Sequence, residues 1–165
     1  MENGNVLGPE DLKIFMAEHH IPGEIVHLDM PTLTVETAAQ VVGVSPDQIV
    51  KSLIFEVGDT NVLTITCGTI PIEKRVLASR FGVGRKKVEL ADADTVLEVT
   101  GYPVGGVPPI GHSQTIAAFI DPGVLKYDEV YAGGGGRKAL VRLNPKEILK
   151  YARPEILDLH TLPEA

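Results

Sequence analysis

The sequence predicts a mixed α+β domain with one curved, barrel-like sheet and helices packed outside it. Three observations lead there. About seven segments carry strand patterning and five or six carry helical patterning. Hairpin-forming pairs are interspersed with the helices. No strict alternation of strand and helix runs through the chain, so a doubly wound parallel sheet is not expected.

Each element follows from local chemistry. Pro9 suits the first position of a helix reaching about His20, with Leu12, Phe15 and Met16 as its apolar stripe. "EIVHL" reads as a short strand. Thr34 caps a helix whose inner face is Val35, Ala38, Ala39 and Val42, and Gly43 ends it. "SPDQ" at 45–48 has capping-box spacing and opens a short helix. A strand from Val50 to Val57 turns through "GDT" into "NVLTITC", whose residues alternate between two faces. Residues 71–81 read as a helix stopped by Gly82, and "RKKVEL" as a short strand. Asp92 caps a helix running to Val99, which Gly101 closes. "TIAAFI", "EVYA" and "ALVRL" are three further strands, and "NPKE" opens the last helix. From Arg153 the polar, proline-marked tail is expected to fray.

Composition narrows the class. The chain has 165 residues, of which 44% are hydrophobic, enough for one self-supporting core. No apolar run approaches the roughly 18–20 residues of a membrane span. The first residues, "MENGNVLGPEDLK", lack the basic and apolar regions of a signal peptide. A single cysteine, Cys67, excludes an internal disulfide. These features lead us to expect a cytoplasmic protein without membrane contact. The net charge of −7 argues against coating the whole surface with nucleic acid, but leaves room for a local basic rim.

Familiar catalytic signatures are missing: there is no phosphate-binding P-loop, dinucleotide fingerprint, zinc-protease helix or nucleophile elbow. No Cys/His/Asp cluster has metal-ligand spacing, so neither metal nor cofactor is expected. Cys67 sits inside a strand pattern and reads as a buried, inert thiol. Lys51 shares a strand face with Leu53, Phe55 and Val57. It is either a strand-end lysine reaching for water or an ammonium at the mouth of a pocket, aimed at an anion or a carbonyl.

The stretch "VGGVPPIGH", residues 104–112, supplies what such a pocket needs. Gly105 and Gly106 let a ligand approach the main chain, while Pro108 and Pro109 stiffen it. A purely structural loop is the alternative. His112 is a base or, more simply, a support bonded to backbone. "GGGGR" at 133–137 offers either a nest of amides for a phosphate, with Arg137 beside it, or a hairpin turn. "GRKK" at 84–87 is the densest basic run, either a solvated face or a phosphate contact.

Taken in order, these segments resemble the YbaK/prolyl-tRNA synthetase-associated editing domain family. The likeness covers roughly residues 25–150. It rests on "TVETAAQVVGVSPDQIVKSLIF", "TGYPVGGVPPIGH" and "FIDPGVLKYDEVYAGGGG" and on their spacing. The family hydrolyses aminoacyl-tRNAs that carry the wrong amino acid, as free-standing proteins or inside prolyl-tRNA synthetase. This chain resembles the free-standing form. The resemblance implies a deacylase of mischarged tRNA, foremost tRNA(Pro), that meets the tRNA 3' end and has prolyl-tRNA synthetase as a candidate partner. It places Lys51 and Gly105 in catalysis. It places Gly106, Val107, Pro108, Pro109, His112, Asp121, Gly134 and Gly135 around the substrate. Arg85, Lys86, Lys87, Arg137 and Lys138 are the expected tRNA rim. With no general base or covalent nucleophile evident, the implied mechanism is substrate-assisted. The rival readings are a deacylase for another mischarged tRNA and a non-catalytic module associated with a synthetase. Oligomeric state is not legible in the sequence.

Overall fold

The computed structural model describes residues 6–32 and 34–162. Its elements run α1 (Pro9–Glu18), β1 (Gly23–His27), α2 (Val35–Val42), β2 (Val50–Val57), β3 (Thr60–Cys67), α3 (Lys74–Phe81), β4 (Val88–Leu90), α4 (Ala93–Thr100), β5 (Ala117–Ile120), β6 (Val130–Gly133), β7 (Ala139–Leu143), α5 (Pro145–Ala152) and β8 (Glu155–Ile156). Short 3-10 turns occupy Pro46–Gln48, Arg85–Lys87 and Pro122–Lys126.

Local signals set the helix ends. Thr34 Oγ1 accepts the Thr37 amide at 3.0 Å, and Gly43 takes the left-handed conformation (φ 75°) that closes α2. Asp92 Oδ1 accepts the Thr95 amide at 2.9 Å, and Gly101 (φ 85°) ends α4. Asn144 caps α5 with Pro145 at its first position. Helix α3 starts at Lys74, three residues later than its pattern suggested. In "RKKVEL" the first three residues form the 3-10 turn, and only Val88–Leu90 pairs as a strand.

The strands divide into two sheets. One is antiparallel, in the order β1-β7-β6, and the other runs β4-β2-β3-β5-β8. In the second, β2 pairs antiparallel with β3 and β4, whereas β3–β5 and β5–β8 are parallel. The sheets approach each other where Ile49 bridges Tyr131. The α+β class stands, but the single barrel-like sheet gives way to two sheets that do not close into a barrel.

Strand alternation explains the core. Val50 and Ile54 of β2, with Leu63 and Ile65 of β3, face the main cluster, which also takes Leu12, Met16, Val96, Val130 and Val141. Phe55, Val57 and Val62 face the opposite way, onto Leu77, Phe119 and Leu159. The larger sheet is thus buried on both faces. A third cluster joins Val35, Ala38 and Ala39 of α2 to Ile49 and Leu140.

The tail is the clearest departure. Instead of fraying from Arg153, it adds β8 to the sheet and buries Leu159 completely. Glu73 N donates to the Leu159 carbonyl at 2.8 Å, and Leu159 N donates to Asp121 Oδ1 at 2.9 Å. One leucine anchor of this kind is worth about 1.5–3 kcal/mol, which explains why a short polar tail stays docked. Residues 163–165 of that predicted tail lie outside the described residues.

Candidate active site

Strand β2 positions Lys51. Strand β4 covers only Phe55–Val57 of one β2 edge. Ahead of that point, residues 50–53 border a cavity of about 310 Å³. Val104, Gly105 and Val107 from the glycine–proline loop line the same cavity. Val35 and Ala38 of α2 also line it, with Gly133, Leu140, Thr32 and Thr34. Lys51 is exposed and belongs to this wall, so the lysine and the Gly105 backbone share one concavity.

The loop is held by its own bonds. Gly105 has φ 92°, a conformation that suits glycine. Gly106 N donates to the Pro103 carbonyl at 3.2 Å. His112 Nε2 donates to the Pro108 carbonyl at 2.7 Å. Burial pushes the His112 pKa below the ordinary imidazole range, and the bond to Pro108 opposes that shift without cancelling it. His112 therefore braces the loop as a neutral ring. Pro108 and Pro109 are buried beneath it and do not line the cavity.

The tetraglycine supports this loop. Gly135 N donates to the Gly106 carbonyl at 2.8 Å, and Gly134 N donates to the Ala139 carbonyl at 3.0 Å. A side chain on Gly135 would meet Gly8 and Pro9 at the start of α1. The amides of Gly134 and Gly135 are thus spent inside the fold and do not form an open nest. In this segment it is Gly133 that reaches the cavity.

Arg137 lies over Gly105. A Cβ built on that glycine would sit 3.4 Å from Arg137 Cγ and 3.5 Å from Nε. Exposed Lys138 follows it. The other basic run is remote, because the Lys87 carbonyl accepts the amide of Gly58, at the far end of β2. Seven residues of strand separate Gly58 from Lys51, roughly 20 Å. Arg85, Lys86 and Lys87 therefore do not share one rim with Arg137 and Lys138.

Asp121 belongs elsewhere as well. It is 7% exposed, and its carboxylate accepts the amides of Gly123 and Leu159, each at 2.9 Å. It borders a second cavity with Asp47, Cys67, Lys126, Asp158 and His160. His160 Nδ1 donates to the Pro71 carbonyl at 2.9 Å, which leaves Nε2 to accept the Thr66 hydroxyl at 2.7 Å. Burial, reinforced by Asp121 and Asp47, raises the Cys67 thiol to about 11. That thiol stays protonated at neutral pH and is a poor nucleophile. No group of three or more His, Cys, Asp or Glu side chains suited to a metal ion occurs among the described residues.

Several wall residues escaped the sequence reading. Thr34 reads as a cap and is one, yet it also lines the cavity. Val35 and Ala38 read as a helix inner face, and that face is a cavity wall as well as core. Ser52 carried no signal beyond its place after Lys51.

Comparison with known proteins identifies the family. The sequence pattern of the aminoacyl-tRNA editing domain family matches residues 29–151. The chain belongs to that family. Within it, the editing domain described here is 30% identical over 130 residues to the uncharacterized protein YwhH of Bacillus subtilis, covering 78% of this chain and 81% of YwhH. It is 25% identical over 130 residues to EbsC of Enterococcus faecalis, a candidate Cys-tRNA(Pro)/Cys-tRNA(Cys) deacylase, with 78% of each chain covered. A proline–tRNA ligase of Thermoanaerobacter is 31% identical over 107 residues, which are 64% of this chain and 18% of the ligase. Among solved structures, a candidate trans-editing enzyme for prolyl-tRNA synthetase superposes with a TM-score of 0.83 at 30% identity, covering 98% of this chain and 99% of that one. No helix among the described residues is long and apolar enough to cross a membrane.

Proposed function

We propose that the protein is a free-standing deacylase that hydrolyses the ester of mischarged tRNA(Pro). The observation that carries this reading is the shared cavity of Lys51 and the Gly105 main chain. At about 310 Å³ it lies at the small end of ligand sites, suited to the aminoacyl end of a tRNA.

Ester hydrolysis needs an attacking water, a polarised carbonyl and donors for the oxyanion. The cavity wall contains no His, Asp, Glu or Cys among the described residues. The protein thus presents no general base there. A free hydroxyl of the terminal ribose orients the water, which attacks the ester carbonyl. The tetrahedral intermediate collapses as the ribose oxygen leaves with a proton, releasing the free amino acid. Lys51 anchors the substrate through its terminal phosphate or its carbonyl. The loop backbone fixes the aminoacyl group, with Gly106, Val107, Pro108, Pro109 and His112 holding it in shape. Arg137 and Lys138 meet the tRNA backbone beside the cavity. With a net charge of −7, that contact is weak and salt-sensitive. Prolyl-tRNA synthetase is the proposed partner that delivers mischarged tRNA.

The test is deacylation over a panel of tRNA(Pro) charged with proline, alanine, cysteine, serine or threonine. Cleavage of a non-cognate ester with the prolyl ester spared is the expected result. Binding without cleavage would make the protein a non-catalytic module. Cleavage confined to another tRNA would overturn the tRNA(Pro) assignment.

A further inference from the structure

Among the described residues, Ser52 is the one buried polar side chain in the wall of the Lys51 cavity. It is 9% exposed, and its Oγ, itself closed to solvent, has no hydrogen-bond partner among the described residues. Thr32 and Thr34 are more open, and the Thr34 hydroxyl is occupied by Thr37. Apart from Lys51 and these two threonines, the side chains that line the cavity with Ser52 are apolar, among them Val35, Ala38, Ile49, Val50 and Leu140.

A buried hydroxyl without a partner costs about 1–3 kcal/mol in an otherwise satisfied protein. Alanine would avoid that cost at this position. The neighbouring hydroxyls of the sheet show the contrast. Thr64 Oγ1 donates to the Leu53 carbonyl at 3.0 Å, and Thr66 Oγ1 bonds His160 at 2.7 Å. The backbone of Ser52 points the same way as the cavity. Ile54 gives its carbonyl to Ala91 N at 2.9 Å on the edge where β4 lies. Alternation along an antiparallel strand turns the Ser52 amide and carbonyl to that same edge, where β4 no longer covers it. A ligand that reached this edge of β2 would complete the hydrogen bonding of Ser52.

We infer that Ser52 hydrogen-bonds the side chain of the amino acid being removed, so that the site favours a small amino acid bearing a hydroxyl or thiol over its apolar analogue. This rests on the deacylase reading and names the substrate class for it. An apolar pocket separates such close analogues poorly by size. A site with a polar group to satisfy separates them by leaving that group unpaired when the wrong analogue binds.

The experiment compares the wild-type protein with Ser52→Ala on seryl- and alanyl-tRNA(Pro), which differ by one hydroxyl. Binding of the unreactive seryl and alanyl amides of 3'-amino-3'-deoxyadenosine is measured in parallel, with the melting temperature of both proteins. The wild type is expected to favour the seryl substrate in kcat/KM by about tenfold or more. Ser52→Ala should bring that ratio near one, mainly by losing seryl activity, without lowering the melting temperature. A merely structural serine would lower both activities equally and reduce stability, and that result overturns the proposal. So does an unchanged ratio. If the wild type cleaves neither ester yet binds the seryl amide in a Ser52-dependent way, the specificity stands and the deacylase reading falls. If it neither cleaves nor discriminates, both fall.

Discussion

The Gly106 carbonyl accepts the amide of Gly135 at 2.8 Å, joining the glycine–proline loop to the tetraglycine turn. The two backbones lie so close that a Cβ on Gly106 would stand 2.5 Å from the amide nitrogen of Gly136. The loop that lines the cavity is therefore fixed from behind by glycines that never reach it.

Gly106→Ala should force these backbones apart. A loss of about 1–3 kcal/mol in urea unfolding is expected, with a comparable collapse of deacylation. Gly84→Ala is the control, since no atom of the described residues lies within 4 Å of its Cβ position. Equal stability of the two variants would show that the close approach is not needed.

Lys51→Ala should leave the fold intact, because the side chain is exposed. Losing one charge-assisted contact costs about 1.5–3 kcal/mol, roughly one to two decades in rate. Single-turnover deacylation measures this. A loss of many decades would place the ammonium in the transition state, and full activity would remove Lys51 from the site.

Cys67→Ala should retain activity, because the thiol borders the second cavity. With its pKa near 11, only about one thiol in a thousand is ionised at pH 8. Alkylation by iodoacetamide should be slow at pH 8 and rise steadily up to about pH 11. Rapid alkylation at pH 7 would contradict the burial and acidic surroundings that hold the thiol protonated.

Asp121→Ala removes the acceptor for two amides, of which Leu159 N is buried. Destabilisation of about 2–3 kcal/mol is expected, with hydrogen exchange rising first across residues 155–161. Deacylation below the melting transition should persist, since Asp121 lies outside the Lys51 cavity. Loss of activity in a folded Asp121→Ala protein would return this residue to the substrate site.

His112 predicts a pH effect with a definite sign. Its folded pKa is lowered by burial, so the unfolded chain binds the proton more readily. Stability should therefore fall as pH drops through the ordinary imidazole range, near 6.5, toward the lower folded value. Replacement by Asn, which cannot titrate, should flatten the stability curve across that window. Parallel curves for the two proteins would show that His112 does not carry the slope.

Local structure was legible wherever neighbouring residues decide it. Thr34, Asp92 and Asn144 cap the helices expected of them, because a cap is a contact over two or three residues. The span Val50–Val57 and the phase of Lys51 followed from alternation along one strand. The turn at residues 104–112 was legible in its glycines and prolines, and Gly105 takes the positive φ that suits glycine. Longer-range facts were not. The tail looked free because its anchors, Asp121 and Glu73, lie far back in the chain.

The sequence by itself determined the elements, the lysine strand, the glycine–proline loop and the likeness to an editing domain. Only the tertiary structure decided which of these meet. It brought Gly105 and Lys51 to one cavity, placed Arg137 over that glycine, and left Arg85–Lys87 at the other end of β2. It turned Asp121 inward to hold Leu159 and left the Ser52 hydroxyl without a partner among the described residues. The reason is physical. Caps, turns and alternation are fixed by neighbours along the chain, whereas a cavity is the space left between strands and loops whose separation depends on how both sheets pack.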